Sequence, residues 1–125
     1  MIRTKKCTSR VIAGRLTKAE EFLDAAELLA SDADSRSAAA SLFVEAGIAA
    51  ADVVCCKRLG EHARGQGHND AVSLLTRADN QLAKHLRTLL ANKSRISYSA
   101  QVLAPSEFRK VQRAAVQLTE AARRV

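Results

Sequence analysis

The chain has no tryptophan, one proline, one tyrosine and three phenylalanines, and only five glycines in 125 residues. It therefore lacks both the aromatic strand-formers and the turn punctuation of a strand-rich domain, which argues against an all-β fold. Hydrophobic residues reach 47%, and alanine and leucine dominate them, so long helices around a single core are expected. No apolar run approaches the roughly 18 residues of a membrane span; the longest, Ala46 to Ala51, stops at Asp52. The basic N-terminus is not followed by an apolar segment with a small-residue cleavage site. A soluble, cytoplasmic protein with no membrane contact is the expectation.

Cysteine is scarce too. Cys7, Cys55 and Cys56 are an odd number, and a bridge between the two neighbours would be strained, so reduced thiols are expected. Adjacent side chains on a helix diverge by about 100°, so Cys55 and Cys56 do not converge on one metal with His62 and His68, and no metal or cofactor is expected. No helix carries Glu-x-x-His, which removes the ligands of a bundle-type di-metal site. No serine or cysteine has a base and an orienting group to activate it.

The formal charge of +7 is placed unevenly. Arg3, Lys5, Lys6, Arg10, Arg15 and Lys18 precede the first acid, Glu20, which leaves 14 basic against 13 acidic residues for the rest. Phosphate attraction would then come chiefly from an N-terminal arm, residues 1–10, ahead of a single helical domain, residues 11–125. The bland account of that arm is a solvated leader.

Apolar periodicity supplies the helices. Ile12, Leu16, Ala19, Leu23, Ala26 and Ala30 form a first stripe that begins near Thr8 or Ser9. After SDADSRS, with Asp34 or Ser35 as cap, a second helix runs to about Leu59 and is apolar nearly all round. Its small residues from Ala46 to Ala51 form a slim waist that admits another backbone, from this chain or a second copy, and Gly60 ends it. The loop GEHARGQGHND follows, its glycines matching neither the phosphate-loop nor the dinucleotide pattern. A third helix is expected from an Asn69 cap to about Lys93, and a last one from Pro105 and Ser106, with Phe108, Val111, Ala115, Leu118, Ala122 and Val125 inward. The expected fold is all-α, an antiparallel bundle of about four long helices.

Two polar clusters carry what chemistry there is. Lys57, Arg58, His62, Arg64 and His68 surround the glycine loop; Lys93, Arg95 and Tyr98 stand at the far end of the third helix. A continuous third helix of roughly 35 Å would hold them at opposite ends. Solvated helix ends with a capping tyrosine are the plain reading. The sharper reading is a grip on phosphate or RNA by Arg58, His62, Arg64 and Lys93, aided by Lys5, Lys6 and Arg10.

Three segments, in this order, resemble the HEPN superfamily of small helical domains: SLFVEAGIAAADVVCCKRLG, the loop-to-helix step GQGHNDAVSLL, and KSRISYSA before a final amphipathic helix. The second is similar to that family's glycine loop followed by a histidine at a helix start, here His68. The third is similar to its Arg-x-x-Tyr, here Arg95 and Tyr98. The resemblance implies a helical bundle that pairs as a homodimer, handles RNA or a nucleotide, and is in places encoded beside a nucleotidyltransferase or antitoxin. Ribonuclease members carry an arginine, four to six residues and a histidine. Here Arg58 to His62 and Arg64 to His68 leave three between, and Arg77 to His85 leaves seven. The strict motif of that metal-independent nuclease is missing, so a binding module is expected in preference to an enzyme; a ribonuclease toxin, with His68, Arg95 and Tyr98 as its catalytic candidates, and a purely structural interaction module are the alternatives.

Overall fold

In the computed structural model, which describes residues 2–65 and 67–125, the protein is mostly helical. A short strand β1 (Thr4–Lys6) leads into α1 (Ser9–Ala30) and α2 (Arg36–Leu59); strand β2 (Glu61–Ala63) leads into α3 (His68–Ala78), α4 (Ala83–Tyr98) and α5 (Pro105–Arg124). Thr8 starts α1 as read, its Oγ1 accepting the Val11 N–H at 3.2 Å. The turn to α2 is organised by Asp32, whose carboxylate accepts from the Asp34 N–H at 3.0 Å and from Ser35 Oγ at 2.9 Å.

Helix α2 is the centre of the molecule and packs on α1, α5, α4, α3 and β2. By length and composition an 18-residue window of Ala33–Leu59 is apolar enough to cross a membrane, with a mean hydropathy of 1.7, yet 72% of that window is buried against the rest of the chain. Its slim waist is taken by helices of this chain: a Cβ on Gly47 would overlap Leu89 Cδ1 of α4 and press on Leu118 Cδ1 of α5 at 3.3 Å. Phe43 meets Phe108 edge-on, ring centres 5.9 Å apart, which ties the start of α5 to α2. Every apolar position expected to face inward on the last helix is buried or half-buried.

Polar contacts tie neighbouring helices together. Arg15 meets Asp52 between α1 and α2, Glu20 and Glu27 meet Arg123 and Gln112 between α1 and α5, and Arg95 meets Glu107 between α4 and α5.

The structure corrects the reading at three places. The expected third helix is two helices. Asp79 leaves the helical region at φ −160° and ψ 102°, and its Oδ1 accepts the N–H groups of Gln81 at 3.0 Å and Leu82 at 3.3 Å. An aspartate that bonds the backbone two and three residues on competes with the helix ladder, and here Asp79 turns the chain. Secondly, the glycine loop holds a strand. Gly60 takes the left-handed conformation (φ 77°) that closes α2, and β2 then pairs antiparallel with β1, Lys5 opposite His62. The Cys7 N–H donates to Gly60 O at 3.0 Å and the Arg64 N–H to Arg3 O at 2.9 Å, so residues of the basic arm are fastened to the end of α2.

Thirdly, the thiols are not all reduced. The hairpin brings the Cα atoms of Cys7 and Cys56 to 5.6 Å and the two are joined in a disulfide. Cys55, about 100° round the helix from Cys56, points into the core as a free thiol. Burial first, and the negative charge of Asp52 second, push its pKa up to about 12. At smaller scale, α3 starts at His68 with Gly67 as cap in place of Asn69. Ala104 in place of Ser106 precedes α5, and the Glu107 carboxylate accepts its N–H at 3.1 Å.

The bridge closes a loop with a sequence separation of 49, so the Cys7→Ser and Cys56→Ser pair is expected to lose about 4 kcal/mol against the oxidised protein on chain-entropy grounds, read by denaturant unfolding. Peptide mapping of the oxidised chain should link Cys7 to Cys56, and Cys55 should resist alkylation until the protein unfolds.

Candidate functional site

The turn at Asp79 brings the start of α3 alongside the end of α4. His68, first residue of α3, and Lys93, near the end of α4, therefore line one cavity of about 250 Å³. The two clusters that a continuous helix would hold apart are joined in this one respect. Ala63, Gly65 and Gly67 of the connecting loop form the rim, and Gly65 (φ 91°) supplies the left-handed bend that only glycine adopts without strain. Gln66, the middle of the Gly-Gln-Gly step, lies outside the described residues. Ile48, Leu86 and Leu90 supply an apolar wall.

Arg15 from α1 and Asp52 from α2 close the far side. The Arg15 guanidinium contacts Asp52 Oδ2 through Nη2 at 2.9 Å and Nε at 3.0 Å. The side chains keep 28% and 17% of their exposure, so this pair is less screened than a surface one. Burial raises the Asp52 pKa, while the positive charges of Arg15 and His62 and the Arg15 hydrogen bond pull it the other way. Glu45 stands exposed at the mouth. With Asp52 held by Arg15, the groups on the cavity for an incoming anion are Lys93 and His68, together with the first N–H groups of α3, which no side chain caps.

The remaining residues singled out from the sequence lie elsewhere. Arg95 donates from Nη2 to Asn92 Oδ1 at 2.6 Å and to Glu107 Oε2 at 2.7 Å, fastening α4 to the start of α5. Tyr98 ends α4 at 87% exposure, and no hydrogen bond of its hydroxyl is found among the described residues. His62 is half-buried on β2 with Nδ1 3.0 Å from Ala63 O. Lys5, Lys6, Arg10 and Arg64 are exposed around the hairpin. Arg58 lines a different cavity. No cluster of His, Cys, Asp or Glu able to hold a metal occurs among the described residues.

Arg15, Glu45 and Asp52 were not among the candidate residues. Asp52 did carry a signal, being the one acid set within an otherwise apolar stretch of helix, where only a partner or a function keeps a carboxylate. Compared with protein-family models and with curated protein sequences, the chain matches none.

Arg15→Met is expected to destabilise the protein by about 1–2 kcal/mol because it leaves Asp52 half-buried and unpaired. The double variant with Asp52→Leu should recover most of that loss, and equal losses in single and double would break the pairing argument. At the end of α4, the Ala104 N–H and then the Arg95 guanidinium hold the Glu107 carboxyl below its ordinary value of 4.5. Its contribution is thus complete above that value and lost as the pH falls through the lower, folded-state one. Glu107→Gln should flatten the acid limb of the melting curve in that window.

Proposed function

We propose that this chain is a HEPN-like binding module: α1, α2, α4 and α5 form the four-helix antiparallel bundle, α3 folds against it, and the cavity at His68 and Lys93 takes the phosphate of a nucleotide or of RNA. The observation that carries the proposal is the convergence of His68, Lys93 and the uncapped start of α3 on one apolar-walled cavity. Its volume is at the small end for ligand sites, which suits one nucleotide rather than a dinucleotide. The order of the three HEPN-like segments supports the same reading. Binding is favoured over strand cleavage because the Arg95 guanidinium is committed to Asn92 and Glu107, and Tyr98 stands in solvent.

The resemblance carries further parts of the proposal: the module works as a homodimer, in the cytoplasm, with a nucleotidyltransferase or antitoxin as partner. That compartment is reducing, so the Cys7–Cys56 disulfide bears on this part of the proposal, and alkylation of thiols in intact cells before lysis reads its redox state directly.

Titration with the four ribonucleoside monophosphates and a short labelled single-stranded RNA tests the cavity. His68→Ala and Lys93→Ala are each expected to weaken binding by about fivefold to tenfold, the share of one charge-assisted contact at a half-exposed site. Unchanged affinity in both variants would sink the reading. Sedimentation equilibrium of the full chain settles the dimer, with a monomer at high micromolar concentration counting against it.

A further inference from the structure

A second cavity, of about 330 Å³, lies where the last turns of α2 and α5 meet the first turn of α4. Arg58 comes from α2, Lys84 and His85 from α4, and Arg124 from α5, with the amides of Gln81 and Gln117 between them. Leu82 and Ala121 are among its apolar lining. None of these residues lines the cavity at His68, and three of the four basic groups are far apart in sequence, so folding alone assembles the cluster.

The positive charges here are only partly cancelled locally. Among the described residues Arg58, Lys84 and Arg124 form no ion pair. The one acidic side chain on the cavity, Asp79, has Oδ1 occupied by the backbone N–H groups of Gln81 and Leu82. Lys57, just outside, holds Val125 O at 2.8 Å, so that end of α5 has its own cation. The ends of α2 and α5 bring roughly half a negative charge each and the start of α4 half a positive one; together with the full charge of the Asp79 carboxylate they offset about half of the three cations and leave the cavity positive. Burial, and then the neighbouring Lys84 charge, lower the His85 pKa. A neutral ring can donate one hydrogen bond and accept another.

We propose that this cavity is a phosphate-binding site, in which Arg58, Lys84 and Arg124 supply the charge and His85 with the Gln81 and Gln117 amides supply directional hydrogen bonds. Guanidinium groups from two different helices suit the oxygens of one phosphate, and the mixed amide rim suits an ester substituent on it. A phosphorylated small molecule and the backbone of a nucleic acid present the same group, and the site goes beyond the nucleotide reading above because it shares no residue with that cavity.

The test uses the full chain, with inorganic phosphate in calorimetry at constant ionic strength as one arm and a short labelled single-stranded RNA in anisotropy across a salt series as the other. Arg58→Gln with Arg124→Gln should weaken phosphate or RNA binding at least about tenfold. The surface pair Arg109→Gln with Arg113→Gln, of equal charge change, should stay within about twofold. Response to phosphate but not RNA assigns a small phosphoester. Response to RNA, with the salt slope reduced by about two in the cavity variant, assigns the backbone. If neither probe binds the wild-type chain, or the surface pair loses as much as the cavity pair, the proposal is overturned. The loss caused by Arg58→Gln with Arg124→Gln should have the same factor in the wild-type chain and in a chain that already carries His68→Ala and Lys93→Ala, which separates failure of this site from failure of the first.

Discussion

The structure depends on the burial of one helix on nearly all sides. α2 presents Ala39, Phe43, Ala46, Gly47, Ala50 and Val53–Cys56 to the core with almost no exposed apolar face of its own. Small side chains at its middle let α4 and α5 approach until Leu89 and Leu118 rest where a Gly47 side chain would be. A helix this apolar is stable in water only while other helices cover it, so the remaining elements are arranged by what they must cover. α1 covers one flank, α4 and α5 two others, and the hairpin and α3 close the rest.

Covering a helix from several directions leaves seams, and both cavities lie in seams. The cavity at His68 opens where α3 is too short to cover α2 and α4 along their whole length. The cavity at Arg58 opens where α2 and α5 end and α4 begins. Chain ends of helices collect lysine and arginine because carbonyl groups there favour positive charge. Arg58 and Arg124 of the second cavity thus have a local structural reason to be where they are, whereas Lys84 and His85, in the first turn of α4, do not, and the fold brings the two kinds of helix end together.

Residues 4–7 add a second constraint. β1 pairs with β2 and Cys7 bonds Cys56, so the chain's most basic segment is fixed to the end of the most buried helix. The same strand pairing fixes the start of the glycine loop, whose far end places His68. Backbone pairing, the disulfide and the cavity rim are thereby parts of one mechanical unit, although Cys7 and Cys56 alone have a sequence separation of 49.

Much of the fold was legible in the sequence because apolar periodicity is a local property. The stripes of α1, α2 and α5, the Thr8 cap and the Gly60 stop all follow from neighbours within a turn or two. The broken third helix was legible in principle, at Asp79 and Asn80, but the leucine spacing on either side continues in phase and hides it. Of the candidate site, the sequence by itself placed His68 in the glycine loop just ahead of an Asn69 cap, short of the helix start that the structure gives it, and Lys93 in a polar cluster. Only tertiary structure decided that these two share a cavity, that Arg95 is spent on Glu107, that Asp52 is held by Arg15 and that Cys7 reaches Cys56. The physical reason is that periodicity fixes which face of a helix is buried, whereas the level at which two helices meet is set by turns, small-residue contacts and strand register acting over the whole chain.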